Sequence, residues 1–396
     1  MPTTFVTGIS NIQDSYSAGQ AAAKMAVAKG GGEKVDLILL FAGVNHHLNQ
    51  VKEGVLSVTN KALLIGCTSA GEFNEDEVIT DGVVCALISS DTHKFFTGMG
   101  THVTYNEAQA IHDATKDFPA YVEGYPYRSA MIFLDGLIGK GEEVVLTSHS
   151  ILGADVKFAG AAAADNLKFK ETLVFCGDRI LPNAVAMCLL ASKHPVVITV
   201  KHGHKPLSPA LTVTKAKDNI LYEIAGEPAF EVWKRYVRDD LKKDGYDIDQ
   251  ISDPEEISKL LVKYEAGFMT GVDYKVRFPS SCNKDGSINF SCSIFEGTAL
   301  KIMSSTEEDQ IQSARIAAER AALAANGKKI AGAVIFDCAC RETILKEKFS
   351  LAVNEMRKVF KGIPLIGFET YGEIAMEIGQ LSGFHNTTTV IMLILD

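Results

Sequence analysis

LLIGCTSAGEF at residues 63–73 and PLIGFETYGEI at residues 364–374 are two forms of one phrase: an apolar strand, a glycine, a short polar run and a closing Gly-Glu. Upstream of the first stands VDLILLFAG (35–43), a continuous apolar run of strand length. Between the two, Leu48, Val51, Val55 and Val58 recur at helical spacing. Upstream of the second stand GAVIFDCACR (332–341) and ETILKEKFSLAVNEMRKVF (342–360). In the latter, Ile344, Leu345, Phe349, Leu351, Val353 and Met356 leave a charged opposite face. Both regions therefore predict strand, helix, strand and polar loop.

A third copy lies between them. SAMIFLDG (129–136) supplies the strand, EEVVLTSHSIL (142–152) the helix, and VKFAGAAAADN (156–166) takes the place of the glycine phrase. Gly66, Gly160 and Gly367 align, and six residues on stand Glu72, Asn166 and Glu373. Each unit starts with a helix. Ser305 with Glu308 predicts a capping box before SARIAAERAALAANG, and Asn106 with Gln109 offers the same before AIHDATKDF. SAGQAAAKMAVAKGG (17–31) is a helix stopped by glycines. Each unit ends on a further strand: GVVCALISS, NAVAMCLLAS and NTTTVIMLIL.

The second and third glycines are about twice as far apart as the first and second, so residues 205–300 are expected to hold a degenerate fourth unit. Its strands look antiparallel, with turns at Lys-Asp-Asn, Asn-Lys-Asp-Gly and Glu-Gly. The charged stretch 237–259 predicts a solvated helix and loop. Duplicated strand-helix-strand units give an α/β fold of two domains, with mixed sheets covered by helices. The strands are apolar at nearly every position, so both sheet faces are buried. Loops at the strand ends of such sheets gather in one crevice. The repeated phrase is therefore expected to line a shared pocket.

The chain has 396 residues, 46% hydrophobic and 22% charged, with a formal charge of −10. That charge speaks against a nucleic-acid partner, whose phosphates need a basic face. Apolar runs such as TVIMLIL (389–395) are too short to cross a bilayer, and the N-terminus shows no signal peptide. Eight cysteines without CxxC spacing read as reduced thiols, which points to the cytoplasm. No GxxxxGK[ST] or GxGxxG motif supports nucleotide binding.

IGCTSAGEF, FAGAAAADNLKF, KHGHKPLSPALTVTKA, NILYEIAGEPAFEVWKRY, FDCACR, IGFETYGEI and FHNTTTVIML, in this order over nearly the whole chain, resemble the FIST sensory family. The resemblance divides the chain into an N-terminal FIST-like domain, 1–216, and a C-terminal one, 217–396. It implies an intracellular signal-input module for small ligands such as amino acids, with some members linked to haem and nitric oxide sensing. Family modules are often fused to output domains. Here the signal is expected to pass to a separate protein such as a histidine kinase, cyclase or chemoreceptor.

The candidate ligand-binding residues are Cys67, Ser69, Glu72, Asp165, Asn166, Asp337, Arg341, Tyr371, Glu373, His385 and Asn386. Arg341 offers a planar fork for a carboxylate; Asp337 either steadies Arg341 or accepts from an amine, and Glu373 is a second acceptor for an amine. Alternatively Arg341 closes an internal pair, with Glu373 the first choice, and the glutamates cap nearby backbone. Tyr371 offers a ring face and a hydroxyl. Small side chains before Asp165 and Asn166 let backbone line a cavity or let elements pack closely. Cys67 is either a small buried residue or the nucleophile of a thiol-dependent hydrolase, which needs a histidine nearby. Cys338 and Cys340 lack partners for a zinc set. In the family pattern His385 stands beside Asn386. If haem binds, as the family subgroup implies, its ligand is His385, His204 or His149.

Overall fold

The computed structural model describes residues 2–30, 34–59, 62–251, 253–270, 273–380 and 382–396. Three sheets of one design form the body. In the first, Leu37–Gly43 runs parallel to Leu63–Ser69 with helix Leu48–Thr59 between them. Val83–Ser89 returns antiparallel beside the former, and Thr4–Ser10 closes that edge. The second repeats this with Tyr127–Leu134, helix Gly141–Leu152, Lys157–Ala162, Ala184–Ser192 and His93–Thr101. The third uses Ile330–Cys338, Leu365–Thr370, Thr388–Leu395 and Val197–His202. Its crossover is broken into Ala339–Leu345 and Phe349–Val359 around Lys346, which has a φ of 53°.

Beyond each parallel pair the sheet edge is filled by a neighbour. Glu72–Asn74 of the first unit pairs with Leu365–Thr370 of the third. Val174–Cys176 of the second pairs with Leu63–Ser69 of the first, and Glu373–Met376 of the third pairs with Lys157–Ala162 of the second. The exchange is cyclic, so no unit satisfies its own edge, and each open ladder is closed by the next copy.

Side chains alternate across these strands. Leu37, Leu39 and Phe41 enter a central core shared by all three sheets, while Ile38, Leu40 and Ala42 face helices Ser15–Ala28 and Leu48–Thr59. Phe41, Phe133, Phe336 and Phe368 fill the centre, with Phe41 stacked on Phe368 at 4.1 Å and Phe133 at 6.0 Å from Phe336. Gly66, Gly160 and Gly367 occupy one equivalent position, opposite Leu40, Ile132 and Ile335 across the parallel pairs. A Cβ on Gly66 would stand 1.7 Å from the Leu40 carbonyl oxygen, and one on Gly367 2.3 Å from the Phe73 ring. The phrase recurs because each copy receives an arm from its neighbour in a tightly packed place. The hollow expected beside Gly66 and Gly367 is solid packing.

Residues 205–304 differ from the expected fourth unit. They form a nine-stranded antiparallel sheet, inserted between Val197–His202 and helix Glu307–Ala324 of the third unit. Trp233, Val237, Leu261, Tyr264 and Phe290 belong to its own core. Its turns fall where Asp218–Asn219, Lys284–Gly286 and Glu296–Gly297 predicted them, because Asp218, Gly286 and Gly297 tolerate the positive φ found there. The capping box of helix Glu307–Ala324 is built by Thr306 and Asp309, one residue beyond the expected pair. Ser305 is instead buried and bonded by Gln310. Helix Ser15–Ala28 is capped at Lys29 and followed by Gly30 with φ 113°, as expected of a helix stopped by glycine, while Gly31 lies outside the described residues.

Candidate functional site

The three strand tips do meet. Ala70 N–H donates to Glu369 O (3.0 Å), Ala164 N–H to Thr68 O (3.0 Å) and Tyr371 N–H to Ala162 O (3.2 Å). These bonds join tip to tip, and Ala70, Ala164 and Ala339 pack together there against Tyr371. Glu72 and Glu373 are fully buried and bonded alike. The Ser69 hydroxyl and the Gly82 N–H (2.8 Å) donate to Glu72. The Thr370 hydroxyl (2.5 Å) and the Thr388 hydroxyl (2.8 Å) donate to Glu373. The second unit has no such acid. Its loop is longer, so Val174 rather than Asn166 occupies the place of Glu72 and Glu373, each standing one pair beyond the aligned glycine.

Burial pushes both carboxyls up to about 8 from the ordinary 4.5. A raised folded value means that the native state holds its proton longer than the unfolded chain does. The stabilisation is full below about 4.5 and is lost as pH rises through about 8. Glu373→Gln should therefore flatten the fall of the thermal midpoint across that window. A midpoint profile parallel to that of the unmodified protein would refute it.

Arg341 is fully buried and turned inward. Its Nε donates to Asp337 (2.7 Å), one Nη to the side chains of Gln310 (2.5 Å) and Ser313 (2.8 Å), and the other Nη to Gln310 O (3.0 Å). Asp337 also accepts from Thr389 (2.7 Å). The internal alternative thus describes Arg341, with Asp337 as its partner in place of Glu373. Cys67 points into the central core, and burial alone drives its thiol well above the ordinary value, the opposite of an activated nucleophile. The Tyr371 hydroxyl donates to Asp165, which also accepts from the N–H groups of Phe169, Lys170 and Glu171. Asn166 begins the turn there with φ 53°. Asn386 accepts from Ser291 (2.8 Å) and ties the body to the inserted sheet. The five residues expected in one pocket are therefore dispersed: Glu72, Arg341 and Glu373 lie in closed networks, Tyr371 lines a separate cleft of about 520 Å³ with Asp135, Ala162 and Phe290, and His385 stands apart.

His385 stands opposite Glu373 in the strand register, and it opens onto a cleft. This cleft of about 500 Å³ lies between the body and the inserted sheet. The body contributes Val200, Lys201, His202, His385 and Thr388; the insert contributes Asp273, Tyr274, Lys275 and Val276. Lys201 Nζ lies 2.9 Å from one Asp273 oxygen, and His202 Nε2 lies 3.4 Å from the other. Together His202 and Lys201 hold the Asp273 carboxyl well below the usual range. Burial, then the Arg277 guanidinium, bring Lys275 down to about 8. Behind the cleft, Lys275 and Arg277 share Glu142 at 3.3 and 2.9 Å. His385 Nε2 donates to Ala375 O (3.0 Å), and burial followed by the charge of Lys275 pushes the ring well below its ordinary value.

The FIST N domain model matches residues 36–227, and the FIST C domain model matches residues 229–376. The chain belongs to the FIST family. FIST domains are a sensory domain family, which indicates signal input and small-ligand binding. The chain is also similar to an uncharacterized protein of Methanocaldococcus jannaschii, 23% identical over 67% of this chain and 53% of that protein, so it spans about half of that relative's length.

Within this FIST chain, the three histidines considered for haem fit it poorly. His204 is enclosed between Ser305 and Gln310, each 3.4 Å away, and His149 packs edge-on to Phe158. His385 faces a cleft carrying Lys201, His202, Asp273 and Lys275, where an axial ligand needs an apolar pocket. Among the described residues no helix is long and apolar enough to cross a membrane. Of the candidate residues, the cleft of this FIST protein retains His385 as lining. It adds Lys201, Asp273 and Lys275, which sequence reasoning missed. The signal available was KHGHKP at the end of a strand, but nothing local placed the strand Asp273–Arg277 across from it.

Proposed function

We propose that this protein is a cytoplasmic signal-input module that takes a small carboxylate-bearing ligand, an amino acid or a similar compound, into the cleft beside His385. It then passes the change to a separate signalling protein such as a histidine kinase, cyclase or chemoreceptor. One observation carries the reading: the cleft is walled on one side by Lys201 and His202 of the three-sheet body and on the other by Asp273–Val276 of the inserted sheet. A ligand touching both walls favours one relative placement of the two, and differential affinity is what shifts a conformational equilibrium. Eight free cysteines accord with a reducing compartment.

Titration calorimetry against amino acids and related carboxylates, with Lys275→Met as the control, tests the reading. Binding that the substitution weakens about tenfold, or about 1.4 kcal/mol, is expected. Hydrogen exchange should also slow in Asp273–Arg277 when ligand is added. No heat with any compound would retire the proposal.

A further inference from the structure

In a chain of formal charge −10, the cleft and the groups directly behind it are locally cationic. Lys201, Lys275 and Arg277 face two carboxylates, Asp273 and Glu142. Among the described lining residues Asp273 is the only acidic one, and it is engaged: one oxygen lies 2.9 Å from Lys201 Nζ, and the other accepts from the Tyr274 N–H at 2.9 Å and stands 3.4 Å from His202. Glu142 serves both Lys275 and Arg277 and accepts from Ser382. An ammonium group entering the cleft would find its one carboxylate already matched and two lysines nearby. An anion would find a surplus positive charge.

A second feature is independent of this count. His202 is only 6% exposed and lines the cleft, yet among the described residues neither ring nitrogen has a hydrogen-bond partner: Nε2 stands 3.4 Å from Asp273, and Nδ1 has none within reach. A ligand oxygen at that place would satisfy the ring when both nitrogens carry hydrogen, Nε2 directed at Asp273 and Nδ1 donating to the ligand. Val200, Val276 and Tyr274 add apolar surface to a lining that also holds Gln380, Ser382, His385 and Thr388. The volume suits an organic molecule better than a bare inorganic ion.

We infer that the cleft recognises an organic carboxylate with an apolar body and no ammonium group, its anion held between Lys275, Lys201 and Nδ1 of His202. The inference rests on the cleft being the ligand site proposed above, and it narrows the ligand class. The amino group of an amino acid is a burden here, because Asp273 is committed to Lys201. Removing that lysine should reverse the preference.

Titration calorimetry on the full chain with matched compounds decides it: isocaproate and hydrocinnamate, the corresponding amino acids leucine and phenylalanine, and the neutral isocaproamide and hydrocinnamamide. Each carboxylate is expected to bind at least about tenfold more tightly than its amino acid and its amide. Lys275→Met and His202→Asn should each weaken the carboxylate about tenfold. In Lys201→Met, Asp273 loses its ammonium partner, and the amino acid should become the tighter ligand. Circular dichroism and thermal midpoints check that the variants are folded; if Lys275→Met does not fold, His202→Asn and Lys201→Met carry the test. Amino acids or amides binding at least as well as the carboxylates would overturn the inference while leaving the cleft a ligand site. Carboxylate binding indifferent to all three substitutions would overturn it as well. No binding by any of the six compounds would count against both the inference and the proposed function.

Discussion

Arg341→Met is expected to destabilise the protein by about 3–5 kcal/mol, the range for removing one partner of a buried ion pair. The guanidinium links three elements: strand Ile330–Cys338 through Asp337, helix Glu307–Ala324 through Gln310 and Ser313, and its own short helix Ala339–Leu345. Methionine occupies similar space, so the loss is chiefly electrostatic. It strands the fully buried Asp337 carboxyl, which burial already pushes upward against the pull of Arg341. Asp337→Asn should be milder, because an amide oxygen still accepts from Arg341 or Thr389. The denaturant midpoint of the two variants measures this. Equal midpoints for Arg341→Met and the unmodified protein would show that the network does not stabilise the fold.

Gly66→Ala should be at least as damaging, and worse than Gly367→Ala. On Gly66 the nearest atom to a new Cβ is the Leu40 carbonyl oxygen at 1.7 Å, and on Gly160 it is the Ile132 oxygen at 1.9 Å. Both are backbone atoms of the parallel neighbour, which cannot move without breaking the ladder. On Gly367 the nearest atoms belong to the Phe73 ring at 2.3 Å, the end of a side chain that can turn, although the Ile335 oxygen follows at 2.9 Å. Overpacking of a core costs about 1–3 kcal/mol where side chains can adjust, and more where they cannot. Soluble yield and thermal midpoint should fall in the order Gly367→Ala, then Gly160→Ala and Gly66→Ala. Equal tolerance of alanine at Gly66 and Gly367 would contradict the arrangement of parallel pairs.

The elements themselves were legible. Continuous apolar runs marked strands buried on both faces, and helical spacing in 48–58 and 342–360 marked their covers. The match of Gly66, Gly160 and Gly367 across the copies proved to be a match of register. The match of Glu72, Asn166 and Glu373 failed in one copy, because counting six residues from a glycine is blind to a longer loop, and Val174 fills that place. The expected fourth unit failed for a related reason. A repeated interval says how much chain lies between two copies but not that the chain between them is a third. The candidate site was the least legible part. Glu72, Arg341 and Glu373 have the chemistry of a binding site, and the same chemistry serves a buried network. Residue type does not distinguish the two, whereas the presence of Ser69, Thr388, Gln310 and Ser313 within reach does.

By itself, then, the sequence determined three copies of a strand-helix-strand unit, their helix covers and the family they belong to. These depend on periodicity and on contacts close along the chain. Only the tertiary structure decided that the arms pass cyclically from copy to copy, that phenylalanine rings close the centre, and that a cleft opens at the seam of the inserted sheet. Each of those depends on which distant edge a strand meets and which distant charge a side chain faces. That follows from the packing of whole sheets, and no local pattern of residues carries it.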